Sequence, residues 1–262
     1  MSPLRSALWA ETLKALRSRV PLFTALGFCL MPAMGGFFMI ILKDPAAARS
    51  MGLISTKAQL TAGTADWPAY FGLLAQATAV GGAFLFSMIA TWVFGREFQD
   101  HTLKELLALP TPRSAIVSAK FLVVAASCCL TTVLVLALGL VVGHLVDIPG
   151  WSPALMRSSL VDIAGAALLS IMLLPFVALV ASAGRGYLPA FGWIFLTIVL
   201  AQVSAITGWG DWFPWAVPAL FSGVGGPRAA LLGWHSYVII AMASLLGLIL
   251  TYWWWRDADQ AR

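Results

Sequence analysis

The chain has 262 residues, of which 60% are hydrophobic and only 10% are charged, and its mean hydropathy is +0.89. Soluble domains carry about 25% charged residues, so this composition excludes a water-soluble globular protein. The net charge of +5 is explained more simply by basic residues that flank membrane spans than by nucleic-acid binding. We therefore expect one integral membrane domain over residues 1–262.

The N-terminal segment 1–19 predicts an amphipathic helix that lies in the membrane interface. Its charged residues Glu11, Lys14 and Arg17 fall on a different part of the helix surface from its apolar residues. The apolar residues recur at spacings of four and three: Trp9, Leu13, Leu16 and Val20. Such a stripe is typical of a helix with one face in the lipid boundary, and a soluble helix that binds a partner is the alternative.

Six segments without Asp, Glu, Lys or Arg are long enough to cross the hydrocarbon as helices. They are residues 20–42, 70–95, 121–146, 163–184, 186–210 and 236–255. The predicted fold is thus an all-α integral membrane protein with six spans. Only the residues 184–186 separate the fourth and fifth spans, which predicts a tight helical hairpin.

The basic residues predict that both termini are cytoplasmic. With the N-terminus inside, eleven of the 16 basic residues face the cytoplasm: Arg5, Lys14, Arg17, Arg19, Arg96, Lys104, Arg113, Lys120, Arg185, Arg256 and Arg262. The other five face outward: Lys43, Arg49, Lys57, Arg157 and Arg228. This asymmetry satisfies the positive-inside rule and predicts a multi-pass protein of the plasma membrane, most simply the bacterial inner membrane.

The cytoplasmic loop 96–120 is the densest charge cluster of the chain and predicts a short docking helix. Thr102 and Glu105 have the spacing of a capping box, so a helix should begin at about Thr102, and the prolines in 110–112 should end it. Leu106 and Leu107 would be the apolar anchors that enter a groove on another protein. An ordinary cytoplasmic loop is the alternative.

The outer connection 211–228 is uncharged over 16 residues and is interrupted by prolines, so it is too short to span. We expect a re-entrant or interfacial segment there. Its aromatic residues are candidates for contact with an amphiphilic substrate: Trp212, Phe213, Trp215 and Phe221. Anchoring at the lipid headgroups is the more favoured explanation of the same residues.

Three cysteines, Cys29, Cys128 and Cys129, lie in apolar runs and form no CxxC pair. We expect them to be small core residues, and we expect neither a disulfide framework nor a metal site.

The cytoplasmic loop also carries a longer pattern, a Gly-Arg-Glu sequence followed by Thr-x-x-x-Leu-Leu-x-x-Pro and two basic residues. Its members are Gly95, Arg96, Glu97, Phe98, Thr102, Leu106, Leu107, Pro110, Arg113 and Lys120. In this pattern the chain resembles the permeases of ABC transporters of the type-2 exporter class, and within them the bacitracin and lantibiotic self-protection permeases. The resemblance is close in the loop and loose in the six-span layout.

The resemblance implies a permease subunit that couples to a separate ATPase subunit, which would bind ATP and Mg²⁺, and that pairs with a second permease copy or a related permease. Glu97 and the short helix would fit into a cleft of that ATPase, and Arg96 and Arg113 would pair with its acidic groups or with lipid phosphates. The implied contact residues are Arg96, Glu97, Phe98, Thr102, Glu105, Leu106, Leu107, Pro110 and Arg113. The chain itself has no GxxxxGK[ST] phosphate loop and is expected to bind no cofactor.

The spans contain almost no ionisable residues, which disfavours a proton-driven or sodium-driven transporter. An ion channel would need a ring of charges or a carbonyl filter motif, which is missing. A membrane-embedded enzyme would need a motif such as HExxH or GxSxG, and neither is present. We expect no catalytic residue and a hydrophobic or amphiphilic cargo, such as a peptide antibiotic, drug or lipid-like molecule; a membrane-embedded enzyme or a non-ATP-driven membrane protein is the alternative.

Overall fold

The computed structural model describes residues 2–44, 64–224 and 232–257, and within these ranges the regular structure is helical. An N-terminal helix, Pro3–Arg17, precedes the first long helix. In the described ranges six helices are long and apolar enough to cross a membrane, and we number them spans 1 to 6: Val20–Lys43, Trp67–Gln99, Arg113–Leu145, Pro153–Ala183, Tyr187–Thr207 and Trp234–Asp257. The predicted number of helices able to span is confirmed.

Three short helices lie in the connections that the structure describes. The loop helix Leu103–Leu107 joins spans 2 and 3. A 3-10 helix, Gly210–Trp212, and an outer helix, Val217–Phe221, lie between spans 5 and 6. Spans 4 and 5 are joined by a turn at 184–186, as predicted, and Arg185 occupies a left-handed conformation there, with φ of 55°.

Spans 2, 3 and 4 are 33, 33 and 31 residues long, so these helices extend beyond the uncharged segments predicted from the sequence. At 1.5 Å per residue each is about 50 Å long, against about 30 Å of hydrocarbon. Their ends therefore reach the headgroup layers, where polar residues can continue a helix. Span 4 begins at Pro153 because the side chain of Ser152 accepts a hydrogen bond from the amide of Leu155 and caps the helix.

Span 2 is at the centre of the bundle and packs against spans 1, 3, 4 and 5. Glycines permit the closest approaches: a Cβ at Gly143 in span 3 would lie 2.3 Å from the ring of Trp67, and a Cβ at Gly36 in span 1 would lie 2.2 Å from Val142. Spans 1, 3, 5 and 6 leave more of their apolar surface on the outside of the bundle, which suits lipid.

The N-terminal helix packs against span 3 through Ala7, Glu11 and Ala15, while Trp9 and Leu16 are exposed. Glu11 is thus on the buried side of this helix. The exposed apolar residues suit a lipid boundary, and the interfacial position of the helix stays a prediction.

One end of the bundle collects the residues that the sequence assigns to the cytoplasm. The N-terminal helix, the end of span 2 and the start of span 3 meet there, and Arg113 contacts the end of span 6. At the opposite end, Lys43 donates hydrogen bonds to the carbonyls of Val146 and Asp147. This sorting agrees with an even number of crossings, while the side on which the termini lie stays a prediction. Arg49, Lys57, Arg228 and Arg262 lie outside the described residues.

The cysteine prediction was wrong in part. Cys128 is buried, Cys29 is partly buried, and Cys129 is exposed on the outside of the bundle. Adjacent residues on a helix point about 100° apart, so Cys128 faces the core while Cys129 faces outward. All three are free thiols.

Candidate functional site

Four charged side chains form a cluster at the end of the bundle that holds the N-terminal helix. We call Glu11, Lys14, Glu97 and Lys120 the charge cluster. Glu11 and Lys14 come from the N-terminal helix, Glu97 from the last turn of span 2, and Lys120 from the second turn of span 3. Two carboxylates and two ammonium groups make the cluster neutral.

The four groups alternate in sign around a ring of short ion pairs. Nζ of Lys14 lies 2.6 Å from Oε1 of Glu11 and 2.9 Å from Oε1 of Glu97. Nζ of Lys120 lies 3.2 Å from Oε2 of Glu11 and 2.9 Å from Oε2 of Glu97. Each carboxylate therefore bridges both lysines, and no charge of the ring lacks an opposite neighbour.

The charge cluster is largely closed to solvent. The side chains of Lys120, Glu97 and Glu11 are 0%, 1% and 5% exposed, and that of Lys14 is 29% exposed. Burial lowers the pKa of Lys14, but the carboxylates of Glu97 and Glu11 outweigh this effect and hold its pKa above the ordinary value. Lys14 therefore stays charged at neutral pH, and the net charge of the cluster stays zero.

Lys120 has a third partner, because its ammonium group also donates a hydrogen bond of 2.7 Å to the backbone carbonyl of Val93. Its Nζ thus has two carboxylate oxygens and one carbonyl oxygen within 3.2 Å. Removal of any member would leave a buried charge uncompensated, which is the costly case for buried ion pairs. The cluster ties the N-terminal helix to the ends of spans 2 and 3.

Glu97 was predicted to enter a cleft of a partner subunit, but its carboxylate points into the protein. A partner cannot contact this side chain while the ring is intact. A coupling role for Glu97 stays a prediction, and in this geometry it would act through Lys14 and Lys120. The sequence pointed to Glu97 and Lys120 by motif, whereas Glu11 and Lys14 were only placed away from the apolar stripe of the N-terminal helix.

Arg96 and Phe98 flank Glu97 and face other elements. The guanidinium carbon of Arg96 lies 4.9 Å from the ring centroid of Trp92, and its Nε lies 3.8 Å from Oδ2 of Asp100. The ring of Phe98 packs edge-on against Trp254 in span 6, with centroids 5.7 Å apart. Phe98 thus contributes to packing within the chain.

The loop helix begins directly after Thr102, as predicted, but the capping box is absent. The side chain of Thr102 makes no capping hydrogen bond, and its φ and ψ of −93° and 1° are not those of a typical N-cap. The backbone amide of Thr102 instead donates to the carbonyl of Glu97. The loop helix is therefore held by the preceding span, and Pro112 marks the start of span 3.

The leucines of this segment divide between the core and the surface in a way the sequence did not predict. Leu103 is the buried one, and Leu106 and Leu107 are half-buried against the core. Leu109 is 53% exposed. Between residues 102 and 110 the exposed residues are Thr102, Lys104, Glu105, Ala108, Leu109 and Pro110.

Arg113 contacts the protein's own last span. Its Nη1 donates hydrogen bonds of 3.2 and 2.9 Å to the carbonyls of Trp255 and Arg256. These carbonyls lie in the last turn of a helix, where they lack partners within the helix. Pairing of Arg113 with a partner subunit stays a prediction, and in this structure the residue caps span 6.

The outer aromatic residues at the opposite end are mostly packed. Trp212 is 57% exposed and stacks on His235, with ring centroids 4.6 Å apart. The other three are half-buried: Phe213 and Trp215 contact each other, Trp215 contacts Phe176 and Trp193, and Phe221 lies over Gly165.

The outer helix inserts against spans 2 and 4, with Val217 fully buried beside Leu169, Leu173 and Ile240. A small cavity of about 50 Å³ lies under it, lined by residues of spans 2, 4 and 5 together with Trp215, Pro218 and Ala219. The 3-10 helix is fixed to span 6 by His235, whose Nε2 lies 3.1 Å from Oδ2 of Asp211.

Among the described residues no group of three or more His, Cys, Asp or Glu could hold a metal ion. The charge cluster offers two carboxylates, but each is already paired with two lysines.

Two comparisons with known proteins bear on these features. The family model of the ABC-2 family transporter proteins matches residues 7–204. Over 183 residues the chain is 27% identical to the bacitracin transport permease protein BCRB of Bacillus licheniformis, an alignment that covers 68% of this chain and 85% of that protein. The family match includes the N-terminal helix from Ala7, the charge cluster and the loop helix.

Proposed function

The chain belongs to the ABC-2 family of transporter proteins, and from this premise we propose that it exports a hydrophobic or amphiphilic substrate with energy from a separate ATPase subunit. As a member of this family with six apolar helices, it is a membrane permease of an ABC transporter and a multi-pass protein of the bacterial plasma membrane. The direction of transport, the substrate class and the partner are the parts that we propose.

The ATP-binding partner is supported by what the sequence lacks and by what the loop helix exposes. No GxxxxGK[ST] phosphate loop occurs in the chain, so ATP and Mg²⁺ would be bound by another polypeptide. The loop helix presents Glu105 to solvent beside the half-buried Leu106 and Leu107, and Leu109 is exposed two residues after the helix ends. A charged residue beside a protruding leucine suits a groove on a soluble subunit.

The loop helix is also placed to pass on a movement of that subunit. Leu103 anchors it in the core, and the hydrogen bond from the amide of Thr102 to the carbonyl of Glu97 joins it to the end of span 2. Glu97 is in turn held by the charge cluster. A displacement of the loop helix would therefore move the end of span 2 and, through Lys120, the start of span 3. We also propose that a second permease copy completes the transport path.

An amphiphilic cargo is supported by the apolar character of the spans and by the relative from Bacillus licheniformis, which is named for bacitracin transport. On the basis of this relative, we propose in particular that the export confers antibiotic resistance. At the outer end, the exposed Trp212 is the residue best placed to contact such a cargo, whereas Phe213, Trp215 and Phe221 shape its surroundings. Anchoring of Trp212 at the headgroups is the competing explanation.

Co-purification tests the partner. When a tagged chain is expressed in its native host and purified, an ATPase subunit should co-purify with it. The complex should hydrolyse ATP faster when an amphiphilic peptide antibiotic is added. Leu109→Asp should reduce that stimulation at least tenfold, because an acidic group would enter the proposed apolar contact.

Arg5→Asp is the matched control, since it places the same acidic group on an exposed site at the same end of the bundle. It should leave the stimulation within about twofold of the unaltered protein. Full stimulation in Leu109→Asp, or turnover of a substrate by the purified chain alone, would contradict the proposal.

A further inference from the structure

A groove lies between the N-terminal helix and span 2, on the surface of the bundle beside the charge cluster. We call it the basic groove and define it by six residues: Trp9, Leu13, Lys14, Arg17, Trp92 and Arg96. Its volume is about 510 Å³, which is within the range of small-molecule sites. Three of the six residues are basic, and the other three are apolar or aromatic.

The basic groove lies at the depth of the lipid headgroups. Span 2 is 33 residues long, so it exceeds the hydrocarbon thickness by about 20 Å, or six to seven residues at each end. Arg96 is three residues from the last residue of this helix, Gln99, and Trp92 is seven residues from it. A centred span 2 therefore places Arg96 among the phosphates and Trp92 at the boundary of the hydrocarbon, where tryptophan is enriched.

Arg96 has hydrogen-bonding capacity that the described part of the chain does not use. Its Nη1 is buried and has no hydrogen-bond partner there, and its Nε lies 3.8 Å from the nearest carboxylate oxygen, on Asp100. The guanidinium group is held over the ring of Trp92. The Arg96 side chain is still 24% exposed, so a phosphate in the groove can accept a hydrogen bond from its guanidinium group.

The charges around the basic groove favour an anion. Lys14 is neutralised by Glu11 and Glu97, whose side chains are buried in the charge cluster. Asp100 is the acidic residue beside Arg96, and it is 51% exposed. Arg17 is exposed on the N-terminal helix and adds a second positive charge, for which the described part of the chain holds no ion-pair partner. The side chains of Arg17 and Arg96 thus give the groove an excess of positive charge.

The apolar residues of the groove favour a phospholipid over a free phosphate. Trp9 is 65% exposed, and Leu13 is partly exposed beside it. A free phosphate would leave this apolar surface in contact with water, whereas a lipid would cover it with its glycerol and upper acyl chain. Basic pockets between membrane helices are known to suit anionic headgroups.

We propose that the basic groove binds one anionic phospholipid, with its phosphate on Arg17 and Arg96 and its acyl chain along Trp9 and Leu13. The bound lipid would join the N-terminal helix to span 2 from the lipid side, opposite the charge cluster that joins them from within. The proposal needs only that the spans cross a membrane, so it does not depend on the partner or the transported substrate.

Native mass spectrometry of the detergent-purified, delipidated chain tests this proposal without any ATPase. Phosphatidylglycerol and phosphatidylcholine with identical acyl chains are titrated separately, and glycerol phosphate is added as a competitor. We expect the first phosphatidylglycerol to bind at least tenfold more tightly than phosphatidylcholine. Glycerol phosphate at equal concentration should not displace it.

Removal of the two arginines should weaken the first binding step about 25-fold in Arg17→Gln/Arg96→Gln, at about fivefold for each lost basic residue. Arg5→Gln/Arg19→Gln removes two exposed arginines from the same end of the protein, outside the groove, and should weaken binding less than threefold. The single variant Arg17→Glu changes only an exposed side chain and should fold normally. It should weaken phosphatidylglycerol binding by about tenfold.

Three results would overturn the proposal: equal affinity for the two lipids, equal losses in the two double variants, or displacement of the lipid by glycerol phosphate at equal concentration. Unchanged lipid affinity in Arg17→Glu together with reduced retention of an ATPase would instead assign the groove to a protein surface. Failure of the export proposal would leave all of these lipid measurements unaffected.

Discussion

At the scale of single residues, Lys120 shows how a charge can be stable at the end of a membrane span. Its side chain is fully buried, and its ammonium group has three oxygens within 3.2 Å, from Glu11, Glu97 and Val93. The electrostatic attraction and the hydrogen bonds together offset the cost of removing the charge from water. The same geometry makes the residue sensitive to substitution.

Lys120→Met should destabilise the protein by about 3–5 kcal/mol, because it leaves Glu11 and Glu97 to share Lys14 alone. The measurement is the unfolding midpoint of the purified protein in detergent. Lys104→Met, at an exposed lysine of the loop helix, should stay within about 0.5 kcal/mol. Adding Glu11→Gln to Lys120→Met restores neutrality and should recover part of the loss; equal midpoints for the two single lysine variants would refute this account of the charge cluster.

The residues of the charge cluster also mark the limit of sequence reasoning at this scale. The family pattern drew attention to Glu97, but its ion-pair partners Lys14 and Lys120 are 83 and 23 positions away in the chain. Periodicity on one helix cannot reveal a partner on another. A charged residue on the same helical face as Ala7 and Ala15 was the available signal for Glu11, since small residues permit close packing.

At the scale of helices, span 4 is interrupted where it meets span 6. The helix is continuous from Pro153 to Met172 and again from Leu174 to Ala183. Pro175 has no amide proton to continue the ladder, and its carbonyl accepts a hydrogen bond of 3.2 Å from the hydroxyl of Thr251 in span 6. Pro32 leaves span 1 continuous by contrast, so a mid-span proline alone did not predict the interruption.

Gly247 lets span 6 approach the interruption. A Cβ at this position would lie 2.9 Å from Cβ of Pro175 and 3.0 Å from the backbone nitrogen of Phe176. Gly247→Leu should therefore cost about 1–3 kcal/mol through overpacking, measured as a lower thermal unfolding midpoint in detergent.

Gly192→Leu in span 5 is the control, because nothing lies within 4 Å of a Cβ there. It gains the same helix propensity and should not lower the midpoint. A midpoint for Gly247→Leu as high as that of Gly192→Leu would show that the close contact between spans 4 and 6 is not needed.

At the scale of the whole molecule, the six spans divide the chain between two ends. Arg96, Lys104, Arg113 and Lys120 lie at the end that also holds the N-terminal helix and the last turn of span 6. Lys43, Asp147 and the outer helix lie at the other. The positive-inside rule assigns the first end to the cytoplasm.

This orientation predicts the labelling of single cysteines in a background without Cys29, Cys128 and Cys129. Asp147→Cys, at a fully exposed side chain, should react with a membrane-impermeant maleimide in intact cells. Lys104→Cys should react only after the membrane is permeabilised. The reverse pattern would invert the topology and remove the loop helix from the reach of a cytoplasmic ATPase.

The sequence by itself determined the number of spans and the family, because hydrocarbon thickness sets the length of an apolar run and the loop pattern is local in the chain. It also located the loop helix. Only the tertiary structure decided that Glu97 faces inward, that Arg113 caps span 6, and that Leu109 is exposed while Leu103 is buried. These outcomes depend on which helices meet, and ion pairs and caps between helices follow from packing across long separations in the chain, which no local pattern records.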